Sequence, residues 1–240
     1  MRTLSVPGSR RLLAPLAGAC LLVAASCGPP AAPPVVEPAV DPHQLALALE
    51  DETSLEEPLR IVFDWRLNEA GSRMSGRGVA RVEPPYRARL DLFLGSGETA
   101  VRAALVDGEY RLPPGTREDL LPPPDLMWGV LGIFRPELGI ELLGGERLEG
   151  GALRLRYRYP DGSEVHYRVQ GGRVTHMERL DGETVVERVE LDMDEGRYPA
   201  EATYRDLTAF RELRLSRASV ERVEPFPPDI WDPAVVRGDR

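Results

Sequence analysis

Apolar and charged residues alternate with a period of two along several stretches of this chain, and that alternation limits the folds open to it. Successive side chains of a strand point to opposite faces of a sheet, so the period indicates strands with one buried and one solvated face. The apolar half of the clearest example comprises Leu59, Ile61, Phe63, Trp65 and Leu67. The pattern recurs in residues 86–94, 101–105, 153–159 and 185–193. The sequence therefore predicts a mainly β protein.

Short turn signals separate these stretches. They are Gly95-Ser96-Gly97, Asp107-Gly108, Asp161-Gly162, Gly171-Gly172 and Asp181-Gly182. Glycine readily adopts the positive φ that two-residue hairpins need, and aspartate tolerates it. We therefore expect about ten strands that pair as antiparallel neighbours in one large sheet, either curled into an incomplete β-barrel or covered on one side.

Two segments break the alternation and are predicted to be helical. Residues 43–49 place Leu45 and Leu49 at helical spacing after Asp41-Pro42, which is a typical helix start. The second segment, residues 126–134, is named here the lid segment. Its apolar members are Leu126, Met127, Trp128, Val130, Leu131, Ile133 and Phe134. We expect Asp125 to cap a helix of about two to three turns that covers the concave face of the sheet, because it is apolar almost all round.

The N-terminus has the composition of an export signal. Three arginines (Arg2, Arg10 and Arg11) precede an apolar run at residues 12–25. That run is shorter than the roughly 20 residues of a membrane-spanning helix and is typical of a signal peptide, here residues 1–26. The small residues before Cys27 resemble a bacterial lipobox, which implies that Cys27 becomes the lipidated first residue of the mature protein. Ala24 departs from the usual leucine, and Cys20 is a competing cysteine, but apolar residues follow Cys20 directly.

The mature chain divides into a Pro/Ala-rich tether (27–41), a single β domain (42–234) and a short C-terminal tail (235–240). Cys27 is its only cysteine, which excludes disulfides within the domain and a cysteine-ligated metal site. Loss of the three signal arginines changes the formal net charge from −9 to −12. This charge argues against nucleic acid or an anionic bilayer as an electrostatic partner. We expect covalent lipid on Cys27 to attach the protein to the membrane, and we expect no other cofactor.

No motif in the chain is typical of an enzyme. His166 and His176 lie near Glu164 and Glu178, but their spacing matches no metal-ligand set, and a solvated strand face explains them. The serines lack a Gly-x-Ser-x-Gly elbow, and no glycine-rich phosphate loop is present. We therefore predict a protein that binds rather than catalyses, with no catalytic and no metal site.

Three stretches carry a resemblance to a known superfamily: residues 76–92, 106–112 and 223–233. The first resembles a hairpin in which one strand ends at a proline and the next has alternating leucines. The second resembles a turn into a strand, and the third resembles a closing strand with a proline-ended tail. With the two helices and the lipobox, residues 43–234 resemble the LolA/LolB-like superfamily of periplasmic lipoprotein carriers and outer-membrane lipoprotein receptors.

The resemblance implies an incomplete barrel, closed by helices over an apolar cavity that accepts acyl chains of lipids or lipoproteins. Gly28 is not the aspartate that keeps some lipoproteins on the inner membrane, so it also implies the outer membrane, with the domain facing the periplasm. The lid segment would form a lid or wall of the cavity, and Phe63 and Trp65 would line the same interior. The alternative is that these residues are plain core.

Two functions are open at this stage. The first is an acyl-chain-binding lipoprotein that assists transfer of lipids or lipoproteins to the outer membrane. The second is a structural or interaction lipoprotein with a filled core that docks onto an envelope protein complex, for which Arg154, Arg156 and Arg158 form the most distinctive patch. A filled interior would favour the second. Trp231, in the proline-rich tail, is expected to seal an edge of the sheet.

Overall fold

The structure, a computed structural model, describes residues 35–38 and 41–233. Within these ranges, thirteen antiparallel strands form one sheet. The strands are β1 (Val35–Pro38), β2 (Leu59–Glu69), β3 (Ser72–Glu83), β4 (Arg87–Leu94), β5 (Thr99–Val106), β6 (Glu109–Arg111), β7 (Glu141–Leu148), β8 (Leu153–Arg158), β9 (Glu164–Gln170), β10 (Arg173–Asp181), β11 (Thr184–Asp192), β12 (Glu201–Asp206) and β13 (Arg211–Arg222). No helix in the described ranges has the length and apolarity needed to cross a bilayer.

The strand order confirms the predicted antiparallel sheet. Strands β7 to β13 are neighbours in chain order, as are β2 to β6, and β13 joins the two groups by pairing with β2. Leu215 lies opposite Trp65 at this junction. Strands β1 and β6 are the two edges, so the curved sheet is an incomplete barrel. More strands form than the about ten predicted from alternation, in part because β1 and β6, with 4 and 3 residues, are too short to show a period.

The predicted alternation appears directly in the burial of the strands. In β2, Phe63 and Trp65 are buried while Asp64 and Arg66 between and after them are exposed. The inward side chains of the strands merge into one apolar cluster beneath the helices. Each large apolar side chain buried there contributes about 1.5–3 kcal/mol of transfer free energy, so this cluster is the main source of stability.

A predicted turn has the backbone that its residues favour. Asp107 and Gly108 connect β5 and β6 with φ values of 56° and 84°. Two consecutive positive φ values define the turn whose twist matches that of a two-stranded antiparallel pair. The sequence pair Asp-Gly therefore set the hairpin locally, as predicted.

Helix α1 (Pro42–Thr53) begins where the sequence predicted and ends later than residue 49. The Asp41 side chain caps it, because Asp41 Oδ1 accepts hydrogen bonds from the backbone N–H groups of His43 and Gln44 at 2.9 and 3.1 Å. Pro42 has no backbone N–H, but this costs nothing at the first helical position because an N–H there would have no partner within the helix. The extra turn packs Thr53 into the interior.

Helix α2 (Pro124–Val130) contains the first part of the lid segment. The prediction that Asp125 caps it is wrong, because Pro123 is the capping residue and makes no side-chain bond. The Asp125 carboxylate points to the sheet instead, as described below. The helix ends at Val130 because Gly132 adopts a φ of 79°, which allows Ile133 N–H to reach Trp128 O at 2.9 Å.

The C-terminal tail differs from the sequence expectation. The expected closing strand in residues 223–233 is wrong, since β13 ends at Arg222. Four prolines in these residues have no N–H to donate to a ladder. The tail instead crosses the outer face of the sheet, where Trp231 is buried against Ala104 and Val106 of β5. Trp231 therefore covers the outer surface beside the β6 edge.

Part of the predicted tether belongs to the sheet. Strand β1 lies within residues 27–41 and pairs with β7, with Val35 opposite Leu148. Cys27 and the predicted signal peptide (residues 1–26) lie outside the described residues, so lipidation at Cys27 stays a prediction.

Candidate functional site

The candidate site is the apolar interior between α2 and the inner face of the sheet. All of the predicted ligand-binding residues lie in this interior, and none exposes more than 5% of its surface. They are Phe63, Trp65, Leu126, Met127, Trp128, Val130, Leu131, Ile133 and Phe134. The structure therefore brings the two inward aromatic residues of β2 and the whole lid segment into one cluster.

Aromatic contacts hold both ends of the lid segment. Trp128 meets Tyr86 edge to face, with ring centroids 5.9 Å apart. Phe134 meets Tyr167 in the same arrangement at 4.9 Å. Such pairs are worth about 0.5–1.5 kcal/mol beyond their buried area. The Tyr167 hydroxyl is buried without a hydrogen-bond partner in the described part of the chain, and burial raises the pKa of Tyr167 well above its ordinary value.

The backbone of α2 lies directly on β10. A Cβ placed on Gly129 would lie 1.9 Å from the sulfur of Met177, a residue of β10 that is fully buried. Real Cβ atoms do not approach another heavy atom so closely, so any larger residue at position 129 would require the Met177 side chain to move. Gly129 is thus a packing residue of the lid segment that the sequence analysis did not identify.

A buried polar contact also ties α2 to the sheet. Arg179 Nη2 on β10 donates to Asp125 Oδ1 at 2.7 Å, and the Tyr159 hydroxyl donates to Asp125 Oδ2. Arg179 Nη1 also lies 3.4 Å from Glu187 Oε2. Burial and the charge of Asp125 raise the pKa of Tyr159, which keeps its hydroxyl protonated as a donor. A buried carboxylate is tolerated only with such partners.

The sequence analysis missed this pair, although a signal was present. Asp125 is the only charged residue between the prolines at 122–124 and Arg135. A lone carboxylate in an apolar run is either a cap or a buried group with a cationic partner. The choice of Arg179, 54 residues away, depends on the fold.

Helix α1 holds the far end of the lid segment. The Phe134 backbone N–H donates to Thr53 Oγ1 at 2.9 Å, and the Thr53 hydroxyl donates to Leu49 O at 2.9 Å. This arrangement satisfies a backbone donor that would otherwise be buried alone. The last turn of α1 therefore helps to fix the position of the lid segment.

The interior beneath α2 is nearly filled. One small cavity, lined in part by Phe63, Val130 and Leu131, has a volume of about 30 Å³. Another, beside Met127 and Leu131, has a volume of about 10 Å³. Small-molecule sites usually have roughly 300–1,000 Å³. Neither cavity holds an acyl chain, so acyl binding in this interior requires α2 to move.

The two histidines of the outer face pair with carboxylates on their own strands. His166 Nε2 lies 3.0 Å from Glu164, and His176 Nε2 lies 3.3 Å from Glu178. The hydrogen bond to His176, with the charge of Arg188, lowers the pKa of Glu178 to about 2. No group of three or more metal-ligating side chains suited to an ion occurs in the described ranges.

The arginine row of β8 is largely matched by acidic neighbours. Arg154 and Arg156 both contact Glu146 on β7, the latter with Nε 3.2 Å from Oε1. Arg158 Nη2 lies 2.9 Å from Glu164 Oε1. These pairs are partly exposed and worth little each. The row is consequently a poorer electrostatic patch than its sequence indicates.

No protein-family model and no curated protein matches this sequence. Among solved structures, a LolA superfamily protein from Nitrosomonas europaea is similar, with a TM-score of 0.52 and 13% identity over 80% of this chain and 98% of that chain. A domain from Vibrio parahaemolyticus assigned to outer membrane lipoprotein sorting has a TM-score of 0.51 and 8% identity over 79% and 95%. The chain therefore shares its fold with these two proteins.

Proposed function

We propose that this protein is an outer-membrane lipoprotein, anchored through Cys27, that binds acyl chains of lipids or lipoproteins between α2 and the concave face of the sheet. The observation that carries this proposal is the lid segment, an apolar segment that covers the inner face. Its displacement would expose a continuous apolar surface. The fold shared with the protein from Nitrosomonas europaea and with the lipoprotein-sorting domain from Vibrio parahaemolyticus supports the proposal.

The energies of helix packing and acyl binding are of similar size. The large apolar side chains of α2 are Leu126, Met127, Trp128 and Val130, all buried. At about 1.5–3 kcal/mol each, they contribute roughly 6–12 kcal/mol to the closed arrangement. An acyl chain of about 16 carbons gains roughly 12 kcal/mol at about 0.8 kcal/mol per methylene. In this proposal, the burial of an acyl chain offsets the exposure of these side chains when α2 is displaced.

The same proposal accounts for the location. Lipid on Cys27 would hold the chain at the membrane, and the Pro/Ala-rich residues after it would let the domain reach into the periplasm. The acidic net charge makes the lipid anchor, rather than the protein surface, the means of attachment. The partners of the domain are then acyl chains, with no role for nucleic acid.

Native mass spectrometry with lipid extraction tests the proposal on the full-length protein, purified from bacterial membranes in a non-ionic detergent. Leu131 is buried in the lid segment, whereas Leu138, shortly after it, exposes 85% of its surface. We expect a bound acyl ligand in the unaltered protein and in Leu138→Asp, and its loss in Leu131→Asp. A folded Leu131→Asp protein with unchanged lipid occupancy would contradict the proposal.

The filled interior favours a second candidate function, a docking lipoprotein whose outer face contacts an envelope protein complex. The specific observation is that the two cavities reported above, beneath the lid segment, have volumes of only about 30 and 10 Å³. The experiment above separates the two functions. A protein that is empty after purification and refuses added lipid would support docking.

A further inference from the structure

A polar cleft lies where α1 ends, bordered by the start of β10 and by the connection between β11 and β12. Its volume is about 480 Å³, within the range of small-molecule sites. Two of its lining residues, Thr53 and Val174, are buried. Gly132, which also lines it, directly follows Leu131 of the lid segment. The cleft thus adjoins the interior at the end of α2.

Of the two arginines in the cleft, Arg173 has no acidic partner, whereas Arg197 contacts one carboxylate of the cleft, Glu56. Arg173 Nη1 donates to two carbonyls, Asp194 O at 3.1 Å and Gly196 O at 2.8 Å. No carboxylate of the described chain lies within 4.0 Å of its guanidinium. Arg197 Nη2 donates to the carbonyls of Glu52 and Ser54, and Arg197 Nη1 lies 3.9 Å from Oε1 of Glu56, an exposed residue that also lines the cleft. Backbone carbonyls orient these guanidiniums without neutralising them, and free N–H donors can bind phosphate.

Three other carboxylates of the same cleft lack cationic partners. Asp51 and Glu52, in the last turn of α1, and Glu195, after β11, are exposed and line the cleft. None of them has a cation within 4.0 Å in the described part of the chain. Side chains of both signs therefore face one volume, and apart from the contact between Arg197 and Glu56 they are not paired with one another.

We propose that this cleft binds the phosphoethanolamine headgroup of a phospholipid whose acyl chains enter beneath the lid segment. The inference rests on the proposed function and names its lipid class. Arg173 and Arg197 take the phosphate, and the carboxylates take the ammonium group. A headgroup with a phosphate alone meets uncompensated acidic side chains, and a headgroup with neither charge leaves both sets unused.

The test is native mass spectrometry of the full-length protein with an equimolar mixture of three lipids that share dioleoyl chains. They are dioleoylphosphatidylethanolamine, dioleoylphosphatidylglycerol and dioleoylglycerol. We expect about tenfold more adduct with the ethanolamine lipid than with either other lipid, the size of one charge-assisted interaction. Equal adducts of all three would overturn the headgroup site and leave acyl binding intact. Absence of every adduct would overturn acyl binding as well.

Variants test whether the charged residues of the cleft cause the preference for the ethanolamine lipid. Asp51→Asn with Glu52→Gln and Glu195→Gln removes three exposed carboxylates that make no side-chain hydrogen bond in the described structure, so the fold is kept. This triple variant, and separately Arg173→Gln, should abolish the preference for the ethanolamine lipid. Arg66→Gln is the matched control, because Arg66 is an exposed arginine of the outer face. Retention of the preference in the Asp51→Asn, Glu52→Gln, Glu195→Gln protein would overturn the proposal.

Discussion

The Asp125 carboxylate accepts a hydrogen bond from the Arg179 guanidinium at 2.7 Å and thereby joins the first turn of α2 to β10. Asp125 exposes only 4% of its surface, in a segment that is otherwise apolar. Apolar packing is non-directional, whereas this pair has one geometry. The pair therefore sets where the lid segment rests on the sheet.

Replacement of Asp125 by asparagine should destabilise the domain. Loss of one partner of a buried ion pair costs about 3–5 kcal/mol because the other charge is left alone. Glu187, 3.4 Å from Arg179, retains part of the compensation, so we expect a loss of about 2 kcal/mol. Urea unfolding measures it. Asp107→Asn in an exposed turn is the control, and equal unfolding midpoints for the two variants would refute the assignment.

A glycine of β3 should resist substitution. Trp65 Nε1 on β2 donates to Phe93 O on β4 at 3.1 Å, and β3 lies between these two strands. A Cβ on Gly76 of β3 would lie 1.8 Å from the same oxygen. Gly76→Ala must displace that backbone, with an expected loss of about 1–3 kcal/mol in the free energy of unfolding. Gly144→Ala on β7 is the control, since its added Cβ meets nothing within 4 Å. Similar stability of both variants would show that the backbone of β4 can shift at Phe93 without a loss of stability, which would contradict the prediction.

Acid should weaken the contribution of Glu178. The hydrogen bond to His176 lowers the pKa of Glu178 from 4.5 to about 2 in the folded state. The folded state then binds fewer protons than the unfolded state between these values, so the stabilisation is complete above pH 4.5 and is lost as the pH falls to about 2. Urea midpoints across this range should converge for Glu178→Gln and the unaltered protein. Glu98→Gln, an exposed turn variant, should give a curve parallel to that of the unaltered protein; a constant gap for Glu178→Gln would contradict the assignment.

Lipidation should depend on Cys27. We expect Cys27→Ser to leave the membrane fraction, because in the proposed function acyl chains on Cys27 are the membrane anchor. Cys20→Ser, within the apolar run, should remain membrane-bound and serves as the matched control. Membrane fractionation with immunoblotting measures both. Retention of the Cys27→Ser protein in membranes would disprove the lipobox interpretation.

Local properties of the chain predicted the strands and several turns. The inward positions of β2, including Phe63 and Trp65, follow from a period of two, because side chains of a strand alternate between faces. The Asp107-Gly108 turn follows from the φ values that these residues tolerate. The start of α1 follows from the capping residue Asp41, whose side chain accepts a hydrogen bond from the backbone N–H of Gln44, three residues later.

Only the tertiary structure decided what covers the sheet and how tightly. The pairing of β1 with β7, the partner of Asp125 and the path of the tail after Arg222 join residues far apart in the chain. Periodicity carries no information on such contacts. The filled interior likewise depends on side-chain volumes summed over many strands, such as Gly129 against Met177. The sequence by itself thus determined which residues face inward, and the packing of the closed fold decided that α2, rather than an open cavity, occupies that space.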